Sequence, residues 1–312
     1  MPTALFRLLQ AFCAANDGGV ELNIIRLENV SYDYDAGLPF AAHALKDINL
    51  DIEEGSIVGL IGSTGSGKST LLQQMNGLLR PTAGKVYFRG EDIAGRRSGA
   101  GNICAQVGMV FQYPENQLFG EDIVSDVMFG PLNIGCSKKE AWERAAAALK
   151  MLGIGEEDFR KSPFELSGGQ RRRAAIAGII AMDPQVLLLD EPMAGLDAQG
   201  QKELLDTIMS IRRKRKMTVI WSSHSMDDMA CYVQRLLVMH EGRIVRDGTP
   251  AQVFEDADYL ESIGLGIPQA EAIVRALKAA GADVETDALT IGQAADRIEE
   301  ACRRARTQKE GA

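Results

Sequence analysis

An α/β fold, with helices packed on a largely parallel β-sheet, is predicted by three features of this 312-residue sequence. Ile57–Ile61, Val186–Leu189 and Thr218–Ser222 are short, near-continuous apolar runs, which read as strands buried on both faces of a sheet. Helical patterns, such as Ser69–Leu79 and Gln199–Arg213, alternate with them, the order expected of parallel strands joined by helical crossovers. The first apolar run passes through glycine-rich sequence straight into a helix, which is the start of a βα unit.

The remaining elements follow in chain order. Ile24–Val30 is strand-like, Ile48–Ile52 alternates apolar and polar side chains, and Gly55 turns the chain into Ile57–Ile61. The helix at Ser69–Leu79 is expected to stop at Pro81. Val86–Phe88 and Val107–Phe111 read as further strands, and residues of about 115–170 change to a helical insert that includes Ala141–Leu152. Leu236–Met239 and Arg243–Asp247 flank Glu241–Gly242 as a hairpin. Beyond Phe254 the chain reads as a helical tail. Pro268 opens one helix and Gly281 closes it. Thr290 and Gln293 form a capping box for a last helix that ends near Arg306.

Composition narrows the function classes. The chain is 46% hydrophobic and 25% charged, so a sizeable core is expected. A net charge of −9 disfavours broad nucleic-acid binding. Cys13, Cys104, Cys136, Cys231 and Cys302 are scattered, odd in number and form no CxxC pair, which argues against a disulfide framework and a zinc site. The longest uninterrupted apolar run, Ala174–Met182, is far shorter than the roughly 20 residues that span a bilayer. Arg7 interrupts the apolar N-terminus and no basic segment precedes it, so residues 1–23 read as an extension rather than a signal peptide. The basic run Arg212–Lys216 falls at a helix C-terminus, where cations oppose the helix dipole, although contact with anionic lipid is an alternative.

Three segments carry chemistry. Gly62-Ser63-Thr64-Gly65-Ser66-Gly67-Lys68-Ser69 fits GxxxxGK[ST], followed by Thr70. The glycines let backbone N–H groups converge on phosphate oxygens, and the helix that follows directs the positive end of its dipole to the same place. Lys68 can reach the β- and γ-phosphates and the Ser69 hydroxyl can ligate Mg²⁺. Val186–Leu189 ends in Asp190-Glu191, which puts one carboxylate where Mg²⁺ would sit and a second where it can orient or deprotonate water. Leu166-Ser167-Gly168-Gly169-Gln170 combines capping-box spacing with two glycines at a helix start, a second anion site on the same chain. A single phosphate loop does not need a second site.

With that pentapeptide the sequence resembles the ATP-binding-cassette family over roughly residues 24–256. The resemblance implies a P-loop NTPase parallel-sheet core with an antiparallel β portion, a helical signature subdomain at about 115–170, and a small C-terminal helical domain at 257–312 that adds a dimer contact. It implies ATP and Mg²⁺ as cofactors and two chains arranged head to tail. Each ATP then lies between one chain's phosphate loop and the other's Ser167, Gly168, Gly169 and Gln170, and an isolated monomer hydrolyses ATP poorly. Gln112 resembles the glutamine that senses Mg²⁺ and the attacking water, and Ala194–Asp197 resembles the D-loop that crosses the dimer interface, with Asp197 at its end. His224 resembles the switch histidine that holds the γ-phosphate. Tyr34 is placed like the aromatic that stacks on adenine, with Tyr32 as its competitor. Glu191, His224 and Gln112 are thus the catalytic candidates, and Ser69, Gln112 and Asp190 the metal ligands.

A narrower resemblance, to the ATPase subunits of energy-coupling-factor vitamin and metal transporters, lies in four segments. They are Phe111-Gln-Tyr-Pro-Glu-Asn-Gln-Leu-Phe119, Asp126–Pro131, Arg171–Gly178 and Leu260–Gln269. The Pro-Glu-Asn-Gln-Leu-Phe form favours the second of the two ATPase types. The family implies a paired ATPase subunit (a heterodimer rather than a homodimer), a transmembrane T component, a substrate-binding S component and a place on the cytoplasmic face of the membrane. The acids Glu115, Glu121, Asp122 and Asp126 are expected to receive arginine-bearing coupling helices of the T component. The chain departs from the family pattern at Met193, where Thr or Ser is usual, and at Trp221-Ser-Ser before His224. Other ATP-binding-cassette transporter subunits and soluble cassette ATPases are the alternatives. A P-loop kinase has no use for Leu166–Gln170.

Overall fold

A computed structural model describes residues 23–35, 42–93 and 100–310 of the chain. Among these residues ten strands form two sheets. β1 (Asn23–Tyr34), β2 (Ala42–Glu53), β4 (Ala83–Phe88) and β5 (Glu91–Asp92) make an antiparallel sheet in the order β2-β1-β4-β5. β3 (Ile57–Gly62), β6 (Val107–Val110), β7 (Val186–Asp190), β8 (Thr218–Ser222), β9 (Arg235–His240) and β10 (Arg243–Gly248) make the other, in the order β10-β9-β3-β8-β7-β6. Its pairs are parallel except the β9–β10 hairpin.

The apolar runs become central strands because both faces of this sheet are covered. Every residue of β3, β6, β7 and β8 is buried. Successive side chains point to opposite faces, so Leu187, Leu189, Val219 and Trp221 join one core while Val186, Leu188 and Ile220 join the other. The second core also holds the antiparallel sheet and Leu71, Leu72 and Met75 of α1 (Lys68–Met75). α2 (Ala100–Gln106) leads into β6.

On the opposite face lie α3 (Ile123–Asn133), α4 (Lys138–Met151) and α5 (Gly168–Ile180), the helical insert, with α6 (Ala198–Arg215) and α7 (Met226–Tyr232). Ser137 and Glu140 cap α4 reciprocally, and Asp197 accepts from the Gly200 N–H at 2.8 Å to start α6. The basic end of α6 is used internally: Arg212 donates to the Gly55 carbonyl and Arg215 to the Ile180 carbonyl.

α8 (Pro250–Glu255) and α9 (Ala257–Ser262) close the main core through Val253, Phe254 and Leu260. α10 (Gln269–Ala279) and α11 (Ile291–Glu310) share a small core of their own around Ala270, Val274, Val284 and Ala294. The tail is tied to the main body where Asp227 Oδ1 on α7 accepts from the Gln269 N–H at 2.8 Å. Among the described residues no helix is long and apolar enough to cross a membrane.

Three boundaries differ from expectation. α1 stops at Met75, before Pro81, because Gly77 adopts φ +77° and its N–H turns back to the Gln74 carbonyl. Pro268 is the cap of α10 rather than its first residue. α11 continues to Glu310 rather than ending near Arg306. Residues 1–22 of the expected N-terminal extension lie outside the described residues.

Candidate functional site

Parallel pairing brings the carboxyl ends of β3, β6, β7 and β8 to one edge of the sheet. The chain leaves β3 for the far edge at β6, returns through β7 and β8, and crosses β3 to reach β9. Such a reversal opens a crevice outside the strand ends. The Gly62–Ser69 loop follows β3, Gln112 follows β6, Asp190 and Glu191 end β7, and Ser222 to His224 end β8.

The loop is shaped by crowding beneath it and space above it. A Cβ on Gly67, which has φ +105°, would meet the Ala44 carbonyl, whereas a Cβ on Gly65 would meet nothing within 4 Å. Lys68 Nζ donates to the Gly62 carbonyl at 2.7 Å and the Ser63 carbonyl at 3.2 Å, which uses two of its three protons. Burial lowers the Lys68 pKa, and the Glu191 and Asp190 carboxylates push it partly back. The buried Ser66 hydroxyl has no hydrogen-bond partner among the described residues. A cationic, glycine-cleared loop at a helix N-terminus suits a polyphosphate. Ser69 is exposed. Thr70 is buried with its hydroxyl 3.1 Å from Tyr34 Oη, so its side chain braces the tyrosine. Tyr34 is 40% exposed beside the loop, while Tyr32 packs edge-on against it and into the core.

Glu191 is the hub of the strand ends. His224 Nε2 lies 2.6 Å from its Oε1, and Gln112 Nε2 donates to its Oε2 at 3.1 Å. The histidine expected on a γ-phosphate thus sits on this carboxylate. Gln112 turns its amide N–H₂ to Glu191, which leaves the amide oxygen available. Glu191 has φ +48°, a left-handed conformation that costs a non-glycine residue about 1–2 kcal/mol. Its N–H is held by the Ser222 carbonyl at 3.2 Å and the Ser222 hydroxyl at 3.0 Å. The Ser69 hydroxyl, the Asp190 carboxylate and the Gln112 amide oxygen are hard oxygen donors of the kind that could hold Mg²⁺.

Leu166–Gln170 lies elsewhere. The Ser167 hydroxyl accepts from the Gln170 N–H at 3.3 Å, and Gln170 Oε1 accepts from the Ser167 N–H at 3.1 Å, the predicted capping box. Cβ atoms on Gly168 or Gly169 would meet nothing within 4 Å, so this helix start faces open space. A cleft between it and the Gly195–Asp197 turn is lined by Gly169, Arg173, Leu196 and Asp197. Among the described residues no hydrogen bond or ion pair joins Leu166–Gln170 to the Gly62–Ser69 loop.

Sequence reasoning missed Arg172. Its side chain is 4% exposed, and the guanidinium donates to both oxygens of Glu115 at 2.9 and 2.6 Å and to the Pro192 and Ala194 carbonyls. One side chain therefore joins α5 to the segment after Gln112 and to the turn before Asp197. Burial raises the Glu115 pKa, but the Arg172 hydrogen bonds and charge outweigh it and hold the carboxyl below its ordinary value. The available signal was the spacing of Arg172, Ile176 and Ile180, which lie four apart on the buried stripe of α5.

The same contact shows that the acids of the expected docking cluster also serve the fold. Glu115 is committed to Arg172, Asp122 caps α3 and pairs with Arg160 at 3.1 Å, and Asp126 accepts from the Phe119 and Gly120 N–H groups at 2.7 and 2.6 Å. Beside them lies a largely apolar groove, lined by Leu118, Phe119, Phe129, Ile134, Ile179 and Met182, with Asp126 in its wall.

Known proteins share this arrangement. Residues 45–194 match the family described as ABC transporter. The chain is 50% identical over 274 residues to the energy-coupling factor transporter ATP-binding protein EcfA2 of Caldanaerobacter subterraneus subsp. tengcongensis, across 88% of this chain and 96% of that protein. CbiO1 of Clostridium perfringens, part of the ABC transporter complex CbiONQ, superposes with a TM-score of 0.69 at 36% identity, over 83% of this chain and 100% of that one. A dimeric ATP-binding cassette in a post-hydrolysis state, bound to ADP and Pi, superposes with a TM-score of 0.65 at 28% identity, over 72% of this chain and 98% of that one. Half-identity sustained over nearly nine-tenths of the chain, on the cassette fold, makes it a member of the ABC transporter family, among the ATP-hydrolysing subunits of energy-coupling factor transporters.

Proposed function

We propose that this chain supplies one phosphate loop and one signature segment to two shared ATP sites, and that closure around ATP drives uptake of a vitamin or metal ion through separate membrane proteins. The observation that carries this reading is that the helix start at Ser167–Gln170 is open to its surroundings and, among the described residues, has no hydrogen bond or ion pair to the Gly62–Ser69 loop. A second phosphate site that faces outward is useful only to a nucleotide held by another subunit. Gly62 to Thr70 cradle the phosphates of this chain's own ATP, and Tyr34 rather than Tyr32 stacks on the adenine because its ring is exposed beside the loop. Ser167, Gly168, Gly169 and Gln170 present N–H groups to the partner's γ-phosphate, and Asp197 stands at the crossing between subunits.

Ser69, Asp190 and the Gln112 amide oxygen would hold Mg²⁺, which when bound neutralises developing charge on the β- and γ-phosphates. Glu191 orients the attacking water and takes its proton. Its two oxygens keep lone pairs free beside the Gln112 and His224 contacts, and His224 turns from Glu191 Oε1 to the γ-phosphate when ATP is bound. Lys68 stabilises charge on the leaving oxygens.

The partners are a paired ATPase subunit, in a heterodimer, a transmembrane T component and a substrate-binding S component. The protein sits peripherally on the cytoplasmic face of the membrane, and no nucleic acid is involved. The α10–α11 tail within 257–312 adds a second contact between ATPase subunits. The largely apolar groove at Phe119 and Phe129, 68% and 50% exposed, receives the T component, with Asp126 in its wall and the exposed Glu121 nearby in sequence for an arginine. Affinity purification of the tagged full chain from membranes, followed by mass spectrometry, tests these assignments. The wild-type chain brings down a polytopic membrane protein and a second ATPase. Phe129→Asp loses the membrane protein and still binds ATP. Retention of the membrane protein by Phe129→Asp would remove the groove from the account.

A further inference from the structure

We propose that the hydroxyl of Ser222 is a positioning group that fixes the Asp190 carboxylate for the metal and the Glu191 backbone for water attack. Ser222 ends β8, two residues before His224. Asp190 and Ser222 are direct partners in the parallel β7–β8 register, so their side chains share a face of the sheet. Both are buried, at 6% and 0% exposure.

The direction of each bond follows from chemistry. An ionised carboxylate only accepts, so the single proton of Ser222 goes to Asp190 Oδ1, 2.7 Å away. A lone pair of the Ser222 hydroxyl oxygen then accepts the Glu191 N–H at 3.0 Å. One hydroxyl therefore sets the rotation of Asp190 and helps hold the left-handed φ of +48° at Glu191. Among the described residues it is the only hydrogen-bond donor to the Asp190 carboxylate. Oδ1 is occupied in this way, and Oδ2 accepts no hydrogen bond among the described residues. An apolar side chain at 222 would leave a buried carboxylate without its donor and free to turn.

This inference rests on the assignment of Asp190 as a metal ligand, so the experiment separates the two. Mn²⁺ is titrated against the full chain in the presence of ADP, with free Mn²⁺ read by electron paramagnetic resonance, which requires no turnover. Ser222→Ala keeps the Glu191 N–H on the residue-222 carbonyl, so the fold should persist, with a melting temperature within a few degrees of wild type. The half-saturating Mn²⁺ concentration is expected to rise about tenfold in Ser222→Ala, as for loss of one charge-assisted hydrogen bond. Ser222→Thr, which restores the hydroxyl, should return it to within about twofold of wild type, while Ser222→Val should resemble Ala. If Asp190→Asn weakens Mn²⁺ binding and Ser222→Ala does not, or if Val rescues as well as Thr, the role of Ser222 is refuted and the metal assignment stands. If Asp190→Asn leaves Mn²⁺ binding unchanged, both fall.

Discussion

Glu191→Gln is expected to bind ATP normally, to lose turnover by about 10²- to 10⁴-fold, the range that general-base groups contribute, and to accumulate as a closed dimer. The substitution is mild in structure. An amide oxygen can still accept from Gln112 Nε2, and the new N–H₂ can donate to a neutral His224 ring, so both neighbours of the wild-type carboxylate keep a partner. The left-handed backbone at residue 191 is unaffected, because Ser222 holds its N–H rather than its side chain. What disappears is the ability to take a proton from water. Nucleotide binding, turnover and size-exclusion elution with ATP give the three readouts. Full turnover in the variant would exclude Glu191 as the base.

Arg172→Met should be the most destabilising single change near the site, at about 3–5 kcal/mol, the usual cost of leaving one member of a buried ion pair behind. Met fills similar space along the stem but leaves the Glu115 carboxylate, 17% exposed, and the Pro192 and Ala194 carbonyls without their donor. For a domain of this size the melting temperature should fall by about 10 °C. Adding Glu115→Leu should recover part of that loss, because removing both partners costs less than orphaning one. Turnover should remain low in the double variant. The segment after Gln112, the signature helix α5 and the turn before Asp197 would no longer be joined by one side chain. A loss below about 1 kcal/mol in Arg172→Met, by thermal or urea denaturation, would mean that the network does not hold these segments together.

The sheet and the phosphate loop were legible in the sequence because local signals sufficed. Runs such as Val186–Leu189 must be buried on both faces, and the Gly62–Ser69 loop is marked by the spacing of its own glycines, Lys68 and Ser69. The Ser167–Gln170 capping box was equally local, and both of its hydrogen bonds formed. What the sequence left hidden is long-range. Nothing near Arg172 says that Glu115, 57 residues away, will meet it. Charge counting likewise did not show that Glu115, Asp122 and Asp126 each satisfy a group within the chain. The pairing of Ser222 with Asp190, 32 residues apart, required the β7–β8 register. The early end of α1 shows the same limit on a smaller scale: Gly77 rather than Pro81 stops the helix, because the left-handed turn comes first along the chain.

The shared site itself is tested most directly by vanadate trapping of a photoreactive ATP analogue in the complex purified with the tagged chain. In wild type both ATPase subunits should be labelled. Lys68→Ala should abolish the label on this chain. Ser167→Asn preserves a good helix cap while placing an amide where the γ-phosphate of the other subunit would lie, so it should abolish the label on the paired subunit and leave this chain labelled. Loss of label from this chain alone on Ser167→Asn would mean that Leu166–Gln170 serves its own nucleotide, and would contradict the account.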